Sequence, residues 1–196
     1  MKKILCLIIC LAFGNSTGSM SEERKSIDFQ QYVKDITKEV TDLTDDGILL
    51  KSKKFRYLFN QIHWYTREAL EALSSPTFSN TDKHVVVFAI QGLELEDLLS
   101  FAEQLQKLLE NGKVSSRIFR ETLFPPYNWN TLLAEHFENQ EVRQRLIAIR
   151  ESTAVAPEVK QDINQLLSGQ ALEDIKEARE DEMLPKRSYA EYLKTK

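Results

Sequence analysis

Cysteine is nearly missing from this chain of 196 residues: there are two, Cys6 and Cys10, both within the first ten positions. Beyond them the chain has no thiol nucleophile, no thiolate metal site and no disulfide. Histidine is scarce as well, and the three present, His63, His84 and His136, form no His-x-x-x-His pair, so no zinc site is expected. A Gly-x-Ser-x-Gly elbow and a glycine-rich phosphate cradle are both missing. No metal or cofactor is expected, and no residue set reaches a catalytic signature.

Long apolar runs are lacking too. The longest, Ile4 to Phe13, has ten residues, whereas a bilayer span needs about 20. Preceded by Lys2 and Lys3 and followed by the small residues of Ala12-Phe13-Gly14, it reads as an export signal over residues 1–14, cleaved after Gly14 or Gly18. The expected organisation is then a flexible segment 15–25, an all-helical domain 26–184 and a basic tail 185–196, in a periplasmic or secreted protein with no transmembrane anchor. Two rival readings are a second start at Met20, giving a cytosolic chain, and a lipid on Cys10, which the bulky Leu7-Ile8-Ile9 disfavours. Asn15-Ser16-Thr17 matches a glycosylation sequon at the processing site and is read as chance.

The whole sequence carries 26 basic and 30 acidic side chains, net −4, and loss of Lys2 and Lys3 makes it more negative by two. Nucleic acid is therefore not an expected partner, because phosphate binding needs clustered cations. A cysteine-free chain in an oxidising compartment relies on its core for stability.

Glycine and proline are sparse and fall between periodic segments. Beyond residue 18 the glycines are Gly47, Gly92, Gly112 and Gly169, and the prolines are Pro76, Pro125, Pro126, Pro157 and Pro185. Such placement marks helix boundaries. Apolar spacing of three and four predicts helices at about 26–43, 51–73, 84–90, 95–109, 116–123, 130–137, 141–151, 157–167 and 170–181. The run Val85-Val86-Val87-Phe88 also suits a strand, but no second strand-like run exists to pair with it. Asn80 or Thr81 is expected to cap that helix, and Asn111-Gly112 to end the following one at 95–109. The expected fold is all-α, a single domain, an irregular multi-helix bundle of seven to eight short and medium helices, fewer than the nine segments the spacing marks. Asn139-Gln140-Glu141-Val142-Arg143 followed by Pro157-Glu158-Val159-Lys160 resembles the paired helices of HEAT repeats in the C-terminal half. That register does not extend upstream through Ser79 to Asn111, and an array needs about three repeats, so no family is assigned.

Candidate chemistry is thin. Asp42-Leu43-Thr44-Asp45-Asp46-Gly47 begins like a calcium loop, but its twelfth place is Lys53, where a bidentate carboxylate is needed. Ala134-Glu135-His136-Phe137-Glu138 sets carboxylates beside an imidazole on different helix faces. An envelope hydrolase would use paired carboxylates drawn from Glu68, Glu94, Glu96 and Glu135. Lys51, Lys53, Lys54 and Arg56 form a basic cluster, read as a solvated face.

Two aromatic features stand out. At 100° per residue, Tyr57, Gln61, Trp64 and Glu68 share the face opposite the Phe55/Leu58/Ile62 stripe. Either this helix is sandwiched, with Tyr57 and Trp64 covering a further helix, or the rings form a partner-binding patch. Phe124-Pro125-Pro126-Tyr127-Asn128-Trp129-Asn130 is a stiffened loop presenting Tyr127 and Trp129 to a partner or folding them back as lids. The resulting expectation is a non-enzymatic, exported interaction protein. In general character it resembles the small acidic immunity proteins with which bacteria neutralise envelope toxins, and that resemblance implies a toxin or envelope enzyme as partner. The alternatives are the hydrolase above and a structural helical spacer.

Overall fold

The computed structural model describes residues 27–40, 49, 51–124 and 131–180. The expected leader, the segment 15–25, the calcium-like loop residues, the loop with Tyr127 and Trp129, and the tail 185–196 lie outside the described residues. Among the described residues the chain is helical, with no strand, so the all-α expectation holds and the Val85–Phe88 run is helix.

Caps explain most of the boundaries. In α1 (Phe29–Glu39) the Asp28 carboxylate accepts from the Gln31 N–H, and in α2 (Lys53–Gln61) the Ser52 hydroxyl accepts from the Phe55 N–H. A 3-10 turn, Ile62–Tyr65, then leads into α3 (Thr66–Ser74). Ser79, one residue before the expected caps, starts α4 (Asn80–Ile90) with a reciprocal pair: its hydroxyl accepts from the Asp82 N–H, and the Asp82 carboxylate accepts from the Ser79 N–H, each at 3.1 Å. At the end of α5 (Leu95–Glu110) the Lys113 N–H reaches the Leu108 carbonyl and the Gly112 N–H reaches the Leu109 carbonyl, with Gly112 at φ +68. This double closure needs a left-handed residue, which glycine adopts without a Cβ clash. Ser115 caps α6 (Ser116–Leu123). After α7 (Thr131–Glu135), Asn139 caps α8 (Gln140–Glu151), Pro157 opens α9 (Pro157–Ser168), and α10 (Gln170–Glu180) closes the described chain.

The expected continuous helix over 51–73 is a correction: it is broken at Ile62–Tyr65. Ile62-His63-Trp64-Tyr65 is a run of β-branched and aromatic residues with poor helix propensity. Tyr65 is buried, its ring 5.9 Å from that of Phe29. Just upstream, the turn after α4 presses on the helix: a Cβ on Gly92 would lie 2.2 Å from the Phe59 carbonyl oxygen.

Packing is more ordered than an irregular bundle. The segment α2–α3 packs on α4, α5 packs on α6, and α8 packs on α9, giving three helix pairs. Successive pairs stack like on like: α3 against α5 and α5 against α8 in one layer, α4 against α6 in the other. The second layer continues through Arg120 of α6 and Asp162 of α9, joined at 2.7 and 3.2 Å across 42 positions. Ser152, which ends α8, donates to Glu110, which ends α5, again across 42 positions. Glu103 and Arg145 face each other at the same separation. Equal offsets at successive places require α5 and α8 to run in the same direction. This nearest-neighbour stacking is how α-solenoids bury a continuous core. α1 covers the outer side of α4, and α10 packs on α9 and α7, so each end of the stack has a cover. Sandwiched between α1, α6 and the first layer, α4 buries every residue from Val85 to Ile90. One continuous apolar cluster runs from Phe29 to Ile175.

Candidate interaction surface

The broken segment α2–α3 presents the first group of candidate residues. Tyr57 is half-buried, and its ring meets Tyr32 of α1 at 6.1 Å in an edge-on contact. Burial pushes the Tyr32 phenol up, and Tyr57 and Glu39 beside it add to that. Tyr57 therefore covers a neighbouring helix. Gln61, at the end of α2, is half-buried. Glu68 is largely covered and lies 3.6 Å from Arg67.

Trp64 differs from these. It is 41% exposed, one of two large apolar side chains so exposed among the described residues, the other being Ile147. The segment α2–α3 rests on α4, α5 and α1, and Trp64 is exposed in the turn between α2 and α3. His63, also exposed, holds its ring 4.9 Å from the indole. In the 3-10 turn an advance of 120° per residue lays Tyr65 over Ile62, both buried, and leaves Trp64 on the exposed side. Tyr127 and Trp129 lie outside the described residues.

The candidate carboxylates are dispersed over several elements. Glu68 sits on α3, Glu94 is the N-cap of α5, Glu96 is in the first turn of α5, and Glu135 ends α7. Glu96 faces Arg145 at 3.6 Å, together with Glu103 at 3.6 Å and Glu141 at 2.7 Å. Three carboxylates thus converge on one guanidinium in the seam between α5 and α8. A hollow of about 520 Å³ between the end of α1 and the start of α2 is lined by Glu39, Val40 and Lys51 to Lys54. Its carboxylate, Glu39, is engaged by Lys54 at 2.6 Å, which holds the ammonium of Lys54 above its usual range. That pairing balances part of the basic cluster seen in the sequence. Among the described residues no three His, Cys, Asp or Glu side chains are grouped to hold a metal, and no helix is long and apolar enough to cross a membrane.

Sequence reasoning missed the ion pair Arg120–Asp162 and the acidic stripe Glu96, Glu103, Glu110. The heptad spacing of the stripe was visible, but what it faced was not. No known protein family has a pattern that matches this chain, and neither the curated proteins nor the solved structures compared with it include a similar one.

Proposed function

We propose that this protein works by binding another protein, with Trp64 as the anchor of the contact. The observation that carries the reading is the large indole left exposed in the 3-10 turn between α2 and α3, while the neighbouring Ile62 and Tyr65 are buried. A Trp delivers large contact area with two rotors, and interface energy concentrates in such residues. The stacked helix pairs support the reading, since arrays of this kind offer extended surfaces to partners. The basic start, apolar run and small residues at positions 2–14 support export, with a toxin or enzyme of the bacterial envelope as the target of an immunity-type inhibitor.

The test is capture by the tagged full chain, compared with its Trp64→Ala variant, with circular dichroism confirming that both fold alike. A partner lost at least about tenfold on substitution supports the reading; equal capture by both chains removes Trp64 as anchor. Fractionation of producing cells and the mass of the purified chain test export: an intact Met1 on a cytosolic chain contradicts it.

A further inference from the structure

The stretch from Lys51 to Ser74 departs from the negative balance of the chain. It carries Lys51, Lys53, Lys54, Arg56 and Arg67 against two carboxylates, Glu68 and Glu71, in a chain of net −4. Both of those carboxylates lie beside Arg67, at 3.6 and 3.8 Å, and Glu39 of α1 takes Lys54 at 2.6 Å. Among the described residues no carboxylate pairs with Lys51, Lys53 or Arg56. Lys51 and Lys53 border the hollow at the start of α2, whose single carboxylate, Glu39, is already held by Lys54 and by the Ser52 hydroxyl at 3.3 Å. The hollow therefore keeps an excess of positive charge. Trp64 stands on the same side of this segment. Lys53, Asn60, Trp64 and Arg67 are exposed, whereas Phe55, Leu58, Phe59, Ile62 and Tyr65 are buried. Carried through the turn at 120° per residue and through the helices at 100°, the four exposed positions stay within about 100° of one another, opposite the buried set.

We infer that the outer side of α2–α3 docks an acidic segment of a partner protein, with carboxylates at the basic hollow and an apolar side chain against Trp64. This rests on the protein-binding reading above and names the chemistry of the partner. Charge complementarity selects the sign, because the unpaired ammonium and guanidinium groups attract carboxylates and repel a basic segment. The geometry sets the spacing: Lys53 and Trp64 stand about 17 Å apart along the axis, at 1.5 Å per residue in the helix and 2.0 Å in the turn. An extended strand covers that distance in about five residues. A bilayer surface fits less well, since helices that lie on lipid bury a broad apolar face, and Trp64 is the one large exposed apolar side chain on this side. The cations set encounter rate and register, and the indole supplies the desolvated contact.

The probe is a peptide in which three glutamates stand about five residues from a leucine, with a Lys-for-Glu peptide and phosphatidylglycerol vesicles as counter-probes. The full chain carrying Trp129→Phe keeps Trp64 as its sole indole, so its fluorescence reports the site directly. The acidic peptide is expected to shift Trp64 emission and to bind at least about tenfold more weakly to the double variant Lys51→Glu/Lys53→Glu. Lys53→Glu places an acid in the first turn of α2, which the helix dipole favours, so the fold is kept, and circular dichroism checks it. Lys113→Glu, the same charge change beyond the end of α5, is expected to leave affinity within about twofold. Equal binding of the lysine peptide, an equal loss on Lys113→Glu, or a response to the vesicles but not to the acidic peptide overturns the inference. If the acidic peptide fails while Trp64→Ala still abolishes capture of the natural partner, the acidic-segment inference falls and the protein-binding reading stands. If capture also ignores Trp64→Ala, both fall.

Discussion

The guanidinium of Arg120 spans both carboxylate oxygens of Asp162, Nε to Oδ2 at 2.7 Å and Nη2 to Oδ1 at 3.2 Å. Asp162 is buried on a face of α9 otherwise made of Val159, Ile163 and Leu166, while half of the Arg120 side chain meets solvent. Asp162 holds the Arg120 guanidinium above its usual range, against the opposing effect of burial.

Arg120→Ala leaves that carboxylate covered and unpaired. Exposed pairs contribute about 0–1 kcal/mol and fully buried ones cost about 3–5 kcal/mol when broken, so this half-exposed pair sits between, at about 2 kcal/mol. Urea unfolding of Arg120→Ala, Asp162→Ala and the double variant measures it. The expected double variant loses less than the sum of the singles, and strict additivity contradicts a direct link.

Gly92 is predicted to be intolerant of even one methyl group. Its Cβ would meet the Phe59 carbonyl oxygen at 2.2 Å, a backbone atom that moves only if α2 moves. Gly92→Ala is expected to cost about 2–3 kcal/mol by overpacking. Gly112→Ala has nothing within 4 Å of the new atom and suffers from its φ of +68 alone, so about 1 kcal/mol is expected. Thermal melts of both variants check the order, and an equal or reversed loss contradicts the close approach.

Acid is predicted to loosen the start of α4. Burial raises the Asp82 carboxyl, but hydrogen bonds from Ser79 and Thr37, with Lys34 nearby, outweigh it and hold the group below its ordinary 3.8. A carboxyl depressed by folding contributes stability that is present above the unfolded value and lost as pH falls through the folded one. Stability should therefore fall below about pH 4, and Asp82→Asn should flatten that slope while costing about 1 kcal/mol at neutral pH through the weakened cap. An unchanged acid slope in the variant contradicts the assignment.

Much of this was legible in the sequence. The all-α class, the ends of α5, α6, α8 and α9 and the cap signals followed from apolar spacing with Gly112, Pro157 and Gly169, because those are local properties. The break at Ile62–Tyr65 was not legible, since it depends on Gly92 meeting Phe59 and on Tyr65 meeting Phe29, contacts that no local pattern encodes. The repeat was partly visible as the echo between Asn139 and Lys160. It was lost upstream because the first pair contains the broken helix and because Asn80 precedes Ser116 by fewer residues than Ser116 precedes Pro157. Tyr57 and Trp64 share a helix face in projection, yet Tyr32 covers one and nothing of that kind was predictable for either.

Photo-crosslinking tests the central claim most directly. A benzoylphenylalanine at position 64 of the full chain, irradiated in the cells that make it, is expected to give one discrete protein adduct, absent when the same group stands at Lys160 in the second layer. Adducts from position 160 alone, or the same adduct from both positions, would contradict a partner seated on the first layer.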